Sequence, residues 1–234
     1  MSKKILSALV IGAALTLSAG AHAASTNVFT GVDVAHDAWY AYVGGDTGLQ
    51  GQDILTQPGF IGRINGGYGQ YSYDKPGTGN IDGDSGNVGL MLGYGTNFSG
   101  GRVSAYLGGD WINQNLSPND PLANAEGSRF GAKAQLEVSV NPVDGFGGEA
   151  LGSYSTAFRT YWTHASVGYH FSAFSIGPEV GFVGNEDYNE VRYGAEVGNV
   201  DLGFADLSLH GGFVNSNRNS GDGGYGAIGF FKNF

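Results

Sequence analysis

Apolar and polar residues alternate with a period of two along most of this chain. In the clearest run, residues 130–140, every even position is apolar and the positions between them include Lys133, Gln135 and Glu137. Residues 190–197 and 206–213 repeat the pattern. Alternation of this kind places one set of side chains on each face of a β-strand.

Counting these runs and the turn residues between them predicts about twelve strands and an all-β fold. The expected spans are 26–35, 38–49, 58–73, 83–96, 101–114, 127–141, 145–157, 160–171, 174–186, 189–199, 203–216 and 223–234. An even strand number with short turns at one end and long loops at the other is typical of a single antiparallel transmembrane β-barrel.

The connections between the strands mostly follow this rule. Short turns are expected at 96–101, 141–145, 172–174 and 199–203, and long outer loops at 74–84, 114–128 and 215–224. Two connections break it: residues 46–59 are long on the short side, and residues 35–38 are short on the long side. These exceptions leave the strand count near the amino end open.

The first 23 residues have the three parts of a secretion signal. Lys3 and Lys4 are followed by an apolar run from residue 5 to residue 17 and by Ala21-His22-Ala23. We therefore expect residues 1–23 to be removed on export and residues 24–234 to form one barrel in the bacterial outer membrane. The terminal Phe234 supports this location, whereas Lys232 departs from the apolar residue usual two positions earlier. The chain has no cysteine, so it has neither a lipid-attachment site nor disulfides.

Loss of the leader leaves 9 Lys and Arg against 21 Asp and Glu, a formal charge of −12. A chain this acidic is a poor binder of nucleic acid or other polyanions. It suits a neutral glycan or a cation better, and we expect no nucleic-acid partner.

The alternation does not by itself say which face lies inside. A lipocalin-like barrel or a β-sandwich would turn the apolar face inward, whereas a membrane barrel turns it toward lipid. The export signal and Phe234 favour the second arrangement. It predicts these lumen charges: Asp110, Lys133, Glu137, Glu149, Glu179, Glu190, Arg192 and Glu196, with Asp33, Arg63 and Asp206 on the same polar face.

Several sequence blocks in the same order resemble the BcsS family of cellulose biosynthesis proteins. They include INGGYGQYSYD, AYLGGDWINQNLSPNDP, GSRFGAKAQLE, GSYSTAFRTYW, IGPEVGFVGNEDYNEVRYG and GGYGAIG. The similarity runs from about residue 28 to residue 234. It implies a role in bacterial cellulose production and an outer-membrane location, but it transfers no catalytic residues.

Either a hydrolytic residue pair or a metal site would give the barrel a chemical function. His164-Ala165-Ser166 has the spacing that places a base and a nucleophile on one strand face, as in outer-membrane lipid hydrolases, but Val167 stands where those enzymes have Asn. The five histidines are scattered and show no metal-ligand spacing, so we expect neither a metal nor a cofactor.

Aromatic residues near the predicted outer loops are candidate glycan contacts. Trp111, Tyr154, Tyr161 and Trp162 could stack on sugar faces, or they could belong to an aromatic girdle at the membrane interface. The sequence thus predicts a non-enzymatic outer-membrane barrel that supports cellulose production, with lipid, cellulose and other secretion components as partners. A small channel for cations or neutral solutes is the alternative, and a lipid hydrolase is a third.

Overall fold

The computed structural model describes residues 25–140, 145–217 and 222–234; the predicted leader lies outside this range. Twelve strands make up the fold: β1 Thr26–Ala35, β2 Ala38–Gly48, β3 Gly59–Lys75, β4 Gly79–Phe98, β5 Gly101–Ser117, β6 Gly127–Val140, β7 Gly145–Ser155, β8 Tyr161–His170, β9 Ser175–Gly184, β10 Asn189–Asp201, β11 Asp206–Ser216 and β12 Gly223–Asn233. The predicted strand number is confirmed, including the two strands nearest the amino end.

Each strand pairs antiparallel with the next, and β1 pairs with β12 to close the barrel. The closing register sets Phe29 opposite Phe231 and Asp33 opposite Ala227. Every strand therefore has a paired neighbour on each side, as a hydrocarbon environment requires of strands that cross it. In the described residues, no helix has the length and apolar character needed to cross a bilayer.

Contacts between strands that are not neighbours identify the inside of the barrel. Arg63 on β3 reaches Glu137 on β6, and Arg192 on β10 reaches Asp33 on β1. Side chains on the other face of the same strands are apolar and exposed, such as Ile64 at 59% and Leu136 at 52%. The polar-inside prediction is confirmed, and the lipocalin-like arrangement is wrong for this chain.

Aromatic residues border the outward apolar band at both ends. Toward the turns, Phe60 packs edge-on against Tyr94, with ring centroids 5.3 Å apart. Toward the outer loops, Tyr68 packs against Trp39 at 5.8 Å. Phe60 and Tyr68 lie on one strand eight residues apart, about 26 Å along the strand. With the usual tilt of about 40°, this length covers roughly 20 Å of membrane depth, which falls within the apolar band of a membrane barrel.

The predicted long loop at 74–84 is wrong. Strands β3 and β4 instead continue as a hairpin and turn at residues 76–78. Gly77 in the turn and Gly79 directly after it have φ of 86° and 85°, which glycine adopts without strain. Strand β5 likewise continues to Ser117 rather than ending near residue 114. The outward side chains of these extensions are polar, Asp82 and Asp84 among them, because this part lies beyond the apolar band.

Connecting segments fold over parts of both barrel ends. At the turn end, Ile54 of the β2–β3 connection is buried against the inward residues Ile61, Met91 and Tyr106. At the outer end, Phe158 of the β7–β8 connection is fully buried with Ile112 and Ala125. The long connection 46–59, which breaks the short-turn rule, therefore packs partly into the barrel mouth.

Candidate functional site

The barrel interior carries all eight predicted lumen charges on inward-facing positions. The strand registers align them in rows: Glu149 is opposite Ser166, Ser166 is opposite Glu179, and Glu196 is opposite His210. Three groups of contacts organise this interior, and each joins strands that are not neighbours in the sheet.

The first group centres on Arg63, which is almost fully buried. Its Nε donates to Asp46 Oδ1 at 2.6 Å and its Nη2 donates to Asp46 Oδ2 at 2.7 Å. Its Nη1 donates to Glu137, and Nη2 also donates to the Tyr106 hydroxyl at 3.1 Å. The guanidinium lies 3.9 Å from the centroid of the Tyr106 ring. This fork geometry suits arginine, which donates bidentately to carboxylates and stacks on aromatic faces.

The second group pairs Arg192 with Asp33 and Glu190. Asp33 lies on β1 and Arg192 on β10, so this ion pair reaches past β11 and β12. A buried charge is tolerated only when paired and hydrogen-bonded. The Arg192–Asp33 pair therefore joins, from inside, parts of the barrel wall that are three strands apart.

The third group contains His164, Glu179, Glu196 and His210, one residue from each of the strands β8 to β11. His164 Nε2 lies 2.9 Å from Glu179 Oε2, and His210 Nδ1 lies 2.6 Å from the same oxygen. The Tyr225 hydroxyl of β12 donates to the other Glu179 oxygen. The histidines show no metal-ligand spacing in the sequence, but the strand registers bring His164 and His210 to the same carboxylate.

The His164–Ser166 pair lies on the inward face, but the histidine is engaged elsewhere. Its Nε2 faces Glu179, and its Nδ1 lies 3.4 Å from Glu149 Oε1. A hydrolytic nucleophile needs a base within hydrogen-bond reach, and in this arrangement both ring nitrogens of the histidine are directed at carboxylates instead.

The four candidate glycan-contacting residues divide between the two faces. Trp111 is opposite Phe130, which is 82% exposed on the outward face, and Tyr154 is opposite Tyr161 on that same face. Trp162 points inward and stacks on His164, with ring centroids 6.1 Å apart and planes 16° from parallel. The first three positions are those of an aromatic girdle, whereas Trp162 lines the interior.

Hydrogen bonds tie the outer loops to each other. Asp187 accepts from the backbone amides of Asn124 and Ala125 at 3.0 and 2.8 Å. Asp120 accepts from Lys75, from the Tyr73 hydroxyl at 2.9 Å and from the Leu122 amide at 3.0 Å. The hydrogen bond from Lys75 lowers the pKa of Asp120 below its ordinary value.

These contacts predict a pH-dependent outer loop. Because the folded-state pKa of Asp120 is lowered, its stabilising effect is present above the unfolded value, about 3.9, and is lost as pH falls through the folded pKa. Amides 119–126 should be protected from hydrogen exchange near neutral pH and lose that protection in acid. Asp120→Asn should lose it at neutral pH as well. Equal protection in both proteins would contradict this role.

Comparison with solved structures returns other barrels at low similarity. The KdgM porin is 10% identical with a TM-score of 0.45, covering 89% of this chain and 99% of that chain. The beta domain of the Bordetella autotransporter Brka is 13% identical with a TM-score of 0.47, covering 91% and 100%. These likenesses are too distant to carry an argument about function. Comparison with curated proteins gave no significant match.

Comparison with family models is more informative. The model described as cellulose biosynthesis protein BcsS matches residues 27–234, which includes every strand of the barrel except the first residue of β1. The match agrees with the resemblance seen in the sequence blocks. The chain belongs to the BcsS family of cellulose biosynthesis proteins.

Proposed function

We propose that this protein is a non-enzymatic barrel of the bacterial outer membrane that anchors or organises cellulose at the cell surface after polymerisation. The observation that carries this proposal is the interior of the barrel. Arg63 reaches Glu137 from β3 to β6, Arg192 reaches Asp33 from β10 to β1, and Glu179 on β9 contacts His210 on β11, so these contacts cross part of the lumen between non-neighbouring strands. A lumen crossed by these ion pairs suits an anchor better than a conduit for a glucan.

Compartment gives the physical reason for a role after polymerisation. A barrel in the outer membrane has no access to cytoplasmic nucleotide sugars, and the sequence has no phosphate-binding motif with which to use them. The apolar outward band bordered by aromatic rings supports the membrane location. The hydrogen-bonded outer loops supply a defined surface on which partners or glucan could be held.

Deletion of the gene tests this proposal. Cellulose delivered to the cell surface should fall, or its organisation should change, while synthase activity in isolated inner membranes stays intact. A plasmid copy of the full chain should restore the surface phenotype and should fractionate with the outer membrane. Unchanged surface cellulose in the deletion strain, or recovery of the protein in the soluble periplasm, would contradict the proposal.

A small channel for cations or neutral solutes is the second candidate. The inward face is rich in carboxylates, and the side chain of Glu149 is 54% exposed within it. An acidic, partly solvated interior would favour cations over anions. Conductance separates the two candidates, as described in the Discussion.

The aromatic candidates can be tested one at a time because they lie on different faces. In the complemented strain, Trp111→Ala should leave surface cellulose unchanged, since its ring lies on the outward face with Phe130. Trp162→Ala removes the inward indole, and a change in surface cellulose in this variant would indicate that glucan contacts the barrel mouth. Loss of cellulose with Trp111→Ala in a folded barrel would contradict the girdle assignment.

A further inference from the structure

The lumen cluster of His164, Glu179, Glu196 and His210 has the donor types of a transition-metal site. Two imidazoles and two carboxylates each offer one ligand atom, and these atoms all lie within 4.8 Å of one another. A tetrahedral zinc ion with ordinary bond lengths separates its donors by about 3.4 Å. That separation lies between the closest contact, 2.6 Å from His210 Nδ1 to Glu179 Oε2, and the outer limit of the group.

A second observation points to a metal: side chains outside the four-residue cluster orient the candidate histidine ligands. His164 offers Nε2 to the cluster and its Nδ1 faces Glu149 Oε1 at 3.4 Å. His210 offers Nδ1 and its Nε2 lies 3.2 Å from Ser208 Oγ. Metal-binding histidines almost always give their second nitrogen to such a partner, which fixes the tautomer and the ring orientation.

The carboxylate of Glu179 is held in the same way, because Tyr225 donates to the oxygen that does not face the histidines. Three of the four candidate ligands thus have a partner outside the cluster, from β7, β11 or β12. Such support holds a ligand set in place before the ion binds.

Charge and access also fit a divalent cation. Glu149, Glu179 and Glu196 gather around the two histidines, and Arg192 on β10 is already engaged by Asp33 and Glu190. Glu179 is almost completely buried, but the Glu149 side chain at the edge of the cluster is 54% exposed and gives solvent a route in. Imidazole ligands select zinc and similar transition metals over calcium and magnesium.

We propose that His164, Glu179, Glu196 and His210 form a zinc-class metal site inside the barrel. The site would join β8, β9, β10 and β11 through one ion, and it is independent of the proposed role in cellulose organisation. None of the four residues shows a metal-binding spacing in the sequence. Barrel closure and strand register bring them together.

Metal binding to the refolded full-length barrel, stripped with chelator, tests the site. Calorimetry with Zn²⁺ should show one saturable ion per chain, and Co²⁺ should give the intense visible absorption of a tetrahedral site with nitrogen and oxygen ligands. His210→Ala should lose the saturable binding. His170→Ala is the matched control, since it removes a histidine at the end of β8 outside the cluster, and it should bind like the unmodified barrel.

A more conservative substitution tests the site if His210→Ala fails to fold. Glu149→Gln retains all four ligands but replaces the carboxylate facing His164 Nδ1, and it should weaken Zn²⁺ binding about 10- to 100-fold. Absence of saturable Zn²⁺ and Co²⁺ binding in the unmodified, folded barrel would overturn the proposal. Equal binding in Glu149→Gln or a folded His210→Ala variant, or equal loss in His170→Ala, would overturn it as well.

Discussion

Arg63→Met should destabilise the barrel by about 3–5 kcal/mol, the cost of removing one partner from a buried ion pair. Asp46 is only 6% exposed at its side chain, and it would lose both hydrogen bonds from the guanidinium. Glu137 would lose its cation at the same time. Reversible denaturant unfolding of the refolded protein in detergent or lipid measures the change.

Two further variants separate the buried network from a general effect of losing an arginine. Arg159→Met makes the same substitution at a side chain that is 76% exposed and 3.7 Å from Glu186, and it should cost less than about 1 kcal/mol. Neutralising the partners in Arg63→Met/Asp46→Asn/Glu137→Gln should recover part of the loss. An Arg63→Met barrel as stable as Arg159→Met would contradict the account of the lumen.

Leu136→Arg should cost about 2–4 kcal/mol, because it places a charge on the lipid-facing side near the middle of the apolar band. Leu136 lies opposite Ala105 and Gly152, between the two aromatic borders. The matched control is Gln135→Arg, which introduces the same residue one position earlier on the inward face. There the new guanidinium lies beside Glu137, to which the Gln135 amide already donates at 2.7 Å.

The same unfolding measurement in lipid compares the two variants. Gln135→Arg should unfold close to the unmodified barrel, whereas Leu136→Arg should be clearly weaker. If Gln135→Arg proved the costlier change, the two faces would be exchanged, since a slip of one residue moves every side chain of a strand to the other face.

Period-two alternation was enough to predict the strands because it separates the two faces of each one, whereas the choice of the face that meets lipid also needed the export signal and Phe234. The spans 26–35 and 127–141 agree with β1 and β6 to within one residue. The loop at 74–84 was misjudged because its many glycines and polar residues are typical of loops, yet they also suit a hairpin that stands in water beyond the membrane. The polar outward residues Asp82 and Asp84 are the signal that could have shown this.

The contacts inside the barrel could be predicted only in part. Alternation correctly put His164 and Glu179 on the inward face, but it does not give the height of one strand relative to another two or three strands away. That height depends on the register of every pair between them, including the irregularity between Val197 and Val200 in β10. The linear sequence therefore gave no sign that His164 on β8 and His210 on β11 meet at the same Glu179 oxygen.

Single-channel recording in planar lipid bilayers tests most directly whether ion pairs obstruct the lumen of this barrel, as expected of an anchor, or leave it open as a channel. The purified, refolded chain should insert without stable open-channel currents, because the Arg63–Glu137 and Arg192–Asp33 ion pairs cross part of its interior. Arg63→Met with both partners neutralised removes one crossing and should, in a folded barrel, raise the conductance. Large, stable, cation-selective currents from the unmodified barrel would contradict the account and put the channel function in first place.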